Sequence, residues 1–227
     1  MKTKIIATIG PASEKPETME KMAEAGMSVC RINTKYGSKE EYLRIVENSR
    51  KIKCLVMYDV KGDGLLEWLK DQDFDYLAVA FSETKEQLDK IRAFFAPREI
   101  NLIAKIESEK GFDNLEEVIK ASDGVMVARG DLGKNVGVEK VPIYQKLIIE
   151  HCNAHKKPVV TATEMLLSMV HSESPERAEA SDIANAVLDG SDYLMLSEET
   201  TVGENPILVV KTMAKIIKET EKDEKLL

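Results

Sequence analysis

Residues 102–107 read Leu-Ile-Ala-Lys-Ile-Glu, an apolar run that ends with a cation and a carboxylate two positions apart, Lys105 and Glu107. In a strand, residues i and i+2 point to the same side. Both polar groups therefore leave the run in one direction, where a buried strand gives way to a loop. The same arrangement closes three other apolar runs: Arg31-Ile32-Asn33, Asp59-Val60-Lys61 and Arg129-Gly130-Asp131. One such pair is noise. Four of them, in a chain that alternates strand-like and helix-like stretches, predict a ring of strands sharing one polar mouth, the place where barrel enzymes keep their chemistry.

Outward from residue 102, eight strand–helix units follow one another. Strands are predicted at Lys4–Thr8, Ser28–Ile32, Lys53–Tyr58, Tyr76–Ala80, Leu102–Ile106, Gly124–Ala128, Pro158–Ala162 and Tyr193–Leu196. Amphipathic stretches predict helices over Pro16–Ala25, Ser38–Lys51, Leu65–Gln72, Lys85–Phe95, Phe112–Ala121, Ile143–His155, Glu176–Leu188 and Pro206–Lys222. No Ser/Gly linker or low-complexity segment divides them. An open doubly wound sheet would want a G-x-G-x-x-G turn after the first strand, and Thr8-Ile9-Gly10-Pro11 does not supply one. The predicted fold is α/β, a single (β/α)8 TIM barrel over residues 1–227.

Composition narrows the function classes. With 227 residues and 43% hydrophobic content the chain can bury a sizeable core. A net charge of −8 argues against nucleic acid as a general partner, and 5% aromatics are too few for base-stacking platforms. No apolar run approaches membrane-spanning length, and Met1–Gly10 lacks a signal-peptide pattern. Three cysteines, Cys30, Cys54 and Cys152, are odd in number and far apart, which reads as reduced thiols in a cytoplasmic protein.

At the mouth, Lys105 and Glu107 have two readings. They are an ion pair that caps the barrel, or a cation for developing negative charge beside a metal-binding carboxylate. Asp131 ends the next strand, and neighbouring strands lie about 4.8 Å apart, so Glu107 and Asp131 can share one divalent ion. So thin a ligand set suits Mg²⁺ or Mn²⁺ that keeps waters and takes substrate oxygens. Gly130 would let a ligand approach the backbone, and the N–H groups around it could hold a carboxylate.

These residues sit in longer motifs. Thr3–Ser13 (TKIIATIGPAS), Ala25–Asn33 (AGMSVCRIN), Lys105-Ile106-Glu107, Gly124–Gly133 (GVMVARGDLG), Pro158–Leu166 (PVVTATEML), Arg177–Gly190 (RAEASDIANAVLDG) and Leu194–Thr200 (LMLSEET) together resemble the pyruvate kinase family. The resemblance runs through nearly the whole chain in order, dense after residue 102 and thin between 38 and 100. It implies that Lys105 stabilises an enolate and the transferring phosphoryl group, and that Glu107 and Asp131 bind the divalent metal. It likewise implies that the backbone at Arg129-Gly130-Asp131 cradles a substrate carboxylate, that Thr163 lies beside the substrate's methylene carbon, and that Arg31 faces the phosphate. Catalytic roles thus fall to Lys105 and Thr163, with phosphoenolpyruvate or a pyruvate-like acid as the small-molecule partner. Phosphoryl transfer of this kind is chiefly positioning plus charge stabilisation.

Departures from the family pattern shape the expected function. The family inserts a lid domain after the third strand's D-T-K-G-P-E segment; here Asp59-Val60-Lys61-Gly62-Asp63-Gly64 runs straight into Leu65–Leu69. The family's C-terminal regulatory domain is likewise expected to be missing. R-x-N-F-S-H-G becomes Arg31-Ile32-Asn33-Thr34-Lys35-Tyr36-Gly37, so Lys35 stands where a serine helps bind potassium and Tyr36 replaces a histidine near the nucleotide. Asn33 and Asp59, two further potassium ligands, persist. Lys35 shares the strand parity of Asn33, so its ammonium is expected in the potassium position, and potassium is not required. Glu83 replaces an arginine and Glu198 a glycine, which makes a polyanionic nucleotide less welcome. Efficient phosphorylation of ADP is therefore not expected, nucleotide use stays open, and a metal-dependent decarboxylase, lyase or phosphatase acting on a 2-oxo acid is the alternative, beside a non-catalytic metabolite-binding barrel. Outer helices could still pair two copies. His151 and His155 read as surface residues of an outer helix, His171 as a loop residue of no motif, and Met19, Met22, Met27 and Trp68 as core packing.

Overall fold

A computed structural model describes residues 1–223 and closes eight parallel strands, each bonded to the next in sequence order, into one barrel. In chain order the elements are β1 (Lys4–Thr8), α1 (Pro16–Ala25), β2 (Met27–Asn33), α2 (Lys39–Lys51), β3 (Leu55–Val60), α3 (Leu66–Leu69), β4 (Tyr76–Val79), α4 (Lys85–Phe95) and β5 (Asn101–Ile106). They continue with α5 (Glu109–Asp113), α6 (Leu115–Ala121), β6 (Gly124–Ala128), α7 (Arg129–Val136), α8 (Val141–Ala154), β7 (Val159–Ala162), α9 (Arg177–Leu188), β8 (Tyr193–Leu196), α10 (Glu198–Thr201) and α11 (Pro206–Asp223).

Local chemistry sets the helix ends. Pro16 opens α1 with its φ already helical, and Gly26 closes it at φ 125°, where a side chain would be strained. Ser38 caps α2 through a reciprocal box: its hydroxyl accepts the Glu41 N–H, and the Glu41 carboxylate accepts the Ser38 N–H at 2.6 Å. Acidic Glu40 and Glu41 in the first turn and basic Arg50 and Lys51 in the last complement the helix dipole.

Two apolar layers follow from strand alternation. Ile6, Val29, Met57, Ala78, Ile103, Met126, Val160, Ala162 and Met195 point inward and fill the barrel. The opposite faces of the same strands pack against the helices in a second, larger cluster. After β3, α3 covers the barrel wall: Trp68 sits on Tyr42 and Tyr58 with ring centroids 6.2 and 6.1 Å apart, and Tyr58 meets Phe74 edge to face at 5.9 Å. Trp68 is thus a packing residue, as its sequence context predicts.

The structure moves some boundaries. β3 begins two residues later than the pattern predicts and runs on through Asp59 to Val60. The helix predicted over Phe112–Ala121 is two, α5 and α6, with Ser108 capping α5 through the Gly111 N–H. The largest difference follows β6: Arg129-Gly130-Asp131 is the first turn of α7, not the end of a strand. With two glycines in eight residues, α7 carries little intrinsic helix preference, which hid it. Among the described residues no helix is long and apolar enough to cross a membrane, and the three cysteines are buried free thiols.

Candidate active site at the barrel mouth

The inward parity that fills the barrel with apolar side chains continues at the strand ends as charge. Thr8 of β1, Arg31 of β2, Asp59 of β3, and Lys105 with Glu107 at the end of β5 form one unbroken chain of contacts. Arg31 donates to Thr8 Oγ1 at 2.8 Å through one terminal nitrogen; its Nε and other terminal nitrogen both reach Asp59 Oδ2, at 2.9 and 2.7 Å. Lys105 Nζ lies 2.9 Å from Asp59 Oδ1 and 2.9 Å from Glu107 Oε1. The other Glu107 oxygen accepts the Phe81 N–H at 2.7 Å. Arg31, Asp59, Lys105 and Glu107 are only 6, 4, 8 and 2% exposed, so cations and carboxylates alternate in a space largely shielded from bulk water.

Burial works against the charged forms of Lys105 and Asp59, and their partners oppose it. Burial draws the Lys105 ammonium towards deprotonation, yet Asp59 and Glu107 outweigh it and hold its pKa above the ordinary lysine range. Burial pushes the Asp59 carboxyl up, and Arg31 and Lys105 overcome that and hold it below the ordinary range. Two of the three Lys105 donors face carboxylates, and the third remains to address a bound oxygen. The ion-pair reading of Lys105 and Glu107 is therefore present as drawn from the sequence, embedded in a longer network that also takes in Arg31 and Asp59.

The next two strand ends build a polar corner. Gly130 donates its N–H to Thr163 Oγ1 at 3.0 Å, so α7 and the loop after β7 meet there. A methyl added at Gly130 would touch Thr163 Oγ1 at an ordinary 3.5 Å, so packing alone does not demand glycine at this corner. Thr163 and Glu164 both have left-handed backbones, φ 71° and 53°. For a β-branched residue that is strained, at about 1–3 kcal/mol per such residue, and strain of this kind clusters at functional sites. Arg129 departs from its predicted place. Because it opens a helix, its side chain does not share a direction with Asp131. It reaches instead to the carbonyls of Ala162, Thr163 and Glu164 and to Asp182 of α9, the last at 2.7 Å.

Asp131 leaves the first turn of α7, half exposed, and pairs with the exposed Lys134 at 3.1 Å. Among the described residues no group of three or more His, Cys, Asp or Glu side chains forms a ready metal cage. Glu107 and Asp131 are the two carboxylates that the sequence reading pairs. Asn135 donates to the backbone carbonyls of both, at 2.9 Å each, which seats the end of β5 beside the first turn of α7. Each Glu107 oxygen takes a single partner, and a surface pair such as Asp131–Lys134 holds its members weakly. Such donors suit an octahedral cation that keeps most of its waters.

The Lys35 ammonium is not among the partners of Asn33 or Asp59, the residues the resemblance assigns to potassium. β2 ends at Asn33, so strand parity stops before Lys35, which is exposed with its ammonium 5.2 Å from the Tyr36 ring centroid. The Asp59 oxygens are engaged by Arg31 and Lys105 instead, and Asn33 Oδ1 accepts the Lys35 N–H at 3.2 Å. Glu83 is bound by Ser108 at 2.7 Å and Lys110 at 3.1 Å, which together lower its carboxyl below the usual range, while Glu198 is exposed. His151 and His155 flank Glu116 on the outer face of the barrel, 2.7 and 3.2 Å away, and His171 meets Glu204 in an exposed loop. The pattern reading missed Thr8, the Phe81 N–H, Asn135 and Glu199. Thr8 was accessible to the same parity rule, since it follows Ile6 on the inward face; the others depend on loop contacts that no spacing announces.

Comparison with known proteins matches residues 1–65 and 58–210 to a family described as "Pyruvate kinase, barrel domain". Pyruvate kinase of Thermococcus litoralis is 33% identical over 331 aligned positions, which take in 97% of this chain and 70% of that protein. That of Geobacillus stearothermophilus is 31% identical across 97% of this chain and 57% of its own length. Pyruvate kinase of Dictyostelium discoideum is 48% identical over 153 residues, 66% of this chain and 30% of the relative. This chain thus spans between 30 and 70% of these relatives. Since 331 aligned positions face a chain of 227 residues, at least 104 positions of the Thermococcus alignment have no residue of this chain opposite them.

Proposed function

Because the chain belongs to the pyruvate kinase family through its barrel domain, we propose that its mouth binds phosphoenolpyruvate or a pyruvate-like acid together with Mg²⁺ and stabilises the enolate between them. The observation that carries this reading is the buried Arg31–Asp59–Lys105–Glu107 chain, which ends beside Asp131 and precedes the Gly130–Thr163 corner on the next two strands. Glu107 and Asp131 would hold the divalent ion, which when bound supplies positive charge to the substrate's oxygens. Lys105, kept protonated by its two carboxylates, directs its remaining donor at the enolate oxygen or the phosphoryl group. Arg31 retains donors beyond those on Asp59 and Thr8 for a phosphate. Beyond the Gly130 amide, which Thr163 already holds, the first turn of α7 presents N–H groups to a carboxylate, and the Thr163 hydroxyl faces the carbon that gains a proton as the enolate collapses to pyruvate.

The domain reading follows the same lines. The two matched blocks meet at residues 58–65, and β3 passes from Val60 to α3 in five residues, so we place the relatives' additional positions at this junction. Without a covering domain water reaches the phosphoryl group, an outcome that closure normally prevents. This favours, as the second reading, release of free phosphate or other enolate chemistry that needs no nucleotide. A cytoplasmic location suits the reduced thiols.

Phosphorus NMR of phosphoenolpyruvate with Mg²⁺, with and without ADP, separates the readings, with Lys105→Ala as control. ATP formed by wild-type protein alone makes the chain a minimal kinase. Free phosphate without ADP supports the enolate reading. Equal turnover by Lys105→Ala would remove that lysine from the mechanism, and an unchanged spectrum in every sample would overturn the substrate assignment.

A further inference from the structure

The loop after β7 carries Thr163 in a backbone conformation it would not hold by itself, and two charges, one part-buried and one wholly buried, grip it from opposite sides. Three consecutive carbonyls, that of Ala162 at the end of β7 and those of Thr163 and Glu164 in the loop, all accept from Arg129, at 3.3, 2.6 and 3.2 Å for the nearest nitrogen of each. The loop's next two amides, Met165 and Leu166, both donate to Glu199 Oε1, at 3.2 and 3.1 Å. The other Glu199 oxygen accepts the Ser197 N–H at 2.7 Å, which ties the loop to the end of β8. Glu199 is wholly buried, an ionisable carboxylate with backbone amides as its hydrogen-bond partners, and the proposed chemistry makes no use of it. Arg129 is itself seated by Asp182 of α9 at 2.7 Å and Gln145 of α8 at 3.2 Å.

We propose that Arg129 and Glu199 are positioning residues, a cation on the loop's carbonyls and an anion on its amides, that force Thr163 and Glu164 into left-handed backbone and so set the Thr163 hydroxyl against Gly130. The inference rests on reading Thr163 as part of the reaction centre. It reassigns Arg129, whose sequence context suggested substrate binding, to the loop beneath. Charges shielded from water that accept from or donate to several backbone groups are held firmly, because each would be costly to leave unpaired. The two φ values explain why two such charges are needed: released, a threonine and a glutamate return to ordinary backbone. A shift of about 1 Å in a group that touches substrate lowers turnover on the order of 100-fold.

The test uses the full chain with Glu199→Gln and Arg129→Lys, read by amide hydrogen exchange, by the NMR resonance of the Gly130 N–H and by steady-state kinetics on phosphoenolpyruvate. Glu199→Gln is expected to speed exchange at Met165 and Leu166 at least tenfold, leave Ala104 of β5 unchanged and move the Gly130 resonance. Its kcat should fall about 100-fold while KM changes less than about threefold. Adding Glu164→Gly to Arg129→Lys removes one residue's left-handed penalty and should recover turnover about tenfold. Unchanged exchange at Met165 and Leu166 would overturn the proposal, and so would equal acceleration at Ala104, which marks general destabilisation. A loosened loop with undiminished kcat would overturn it too. If the wild-type chain turns over no phosphoenolpyruvate, the proposed function fails, while exchange and the Gly130 resonance still decide whether the two charges set the loop.

Discussion

Asp59→Asn is the sharpest perturbation of the mouth, because it changes a charge with almost no change of shape. Asp59 is 4% exposed and holds Arg31 at 2.7 Å and Lys105 at 2.9 Å. Removing its charge leaves two buried cations facing one remaining carboxylate, Glu107. Breaking a buried ion pair by deleting one partner costs about 3–5 kcal/mol. The asparagine oxygen can keep one hydrogen bond, which places the expected loss near the lower end, about 3 kcal/mol. For a domain of this size each kcal/mol lowers Tm by about 2–4 °C, so thermal denaturation followed by circular dichroism should show a fall of about 6–12 °C. The double variant with Lys105→Met removes one orphaned ammonium, and its loss should be smaller than the sum of the two single losses by about 1 kcal/mol or more. A fall below 2 °C for Asp59→Asn, or strict additivity in the double variant, would refute the claim that these shielded charges stabilise one another.

The same contacts fix the pH response. Asp59 titrates below the ordinary value of 3.8 when folded, so its contribution is complete above about pH 4 and is lost as pH falls through the folded value. Urea midpoints should decline below pH 4, less steeply for Asp59→Asn, and equal acid slopes would count against the assignment. Lys105 titrates above 10.5 when folded, so its contribution persists below that pH and is lost only as pH rises further. Potassium should be dispensable, because the ligands the resemblance assigns to it are already engaged, Asp59 by Arg31 and Lys105 and Asn33 by the Lys35 amide. Turnover in potassium and in tetramethylammonium should agree within about twofold at equal ionic strength, and a tenfold activation by potassium would contradict the structure.

What the sequence revealed, and what it hid, divides along physical lines. Strand parity is a local rule, and by itself it places Arg31, Asp59, Lys105 and Glu107 on one side of the barrel. It failed at two points where the strand had already ended. Lys35 lies two residues past Asn33, in a turn, so its parity with Asn33 carried no direction. Arg129 opens a helix whose glycines disguise it, so the helical twist sends its guanidinium under the β7 loop while Asp131 stays at the mouth. Glu199 was invisible for a different reason: its partners are backbone amides of Met165, Leu166 and Ser197, which have no signature in side-chain spacing. The short passage from β3 to α3 was legible because it concerns chain length between two elements, a quantity the sequence states outright.

The central claim, that Glu107, Asp131 and Lys105 jointly bind an enolate-like acid through a divalent ion, is tested most directly with oxalate, a planar dianion that mimics the enolate of pyruvate. Calorimetric titration of oxalate into the full chain, with and without Mn²⁺, should show binding that requires the metal and is lost in both Glu107→Gln and Lys105→Met. Equal affinity without metal, or undiminished affinity in those two variants, would contradict the account.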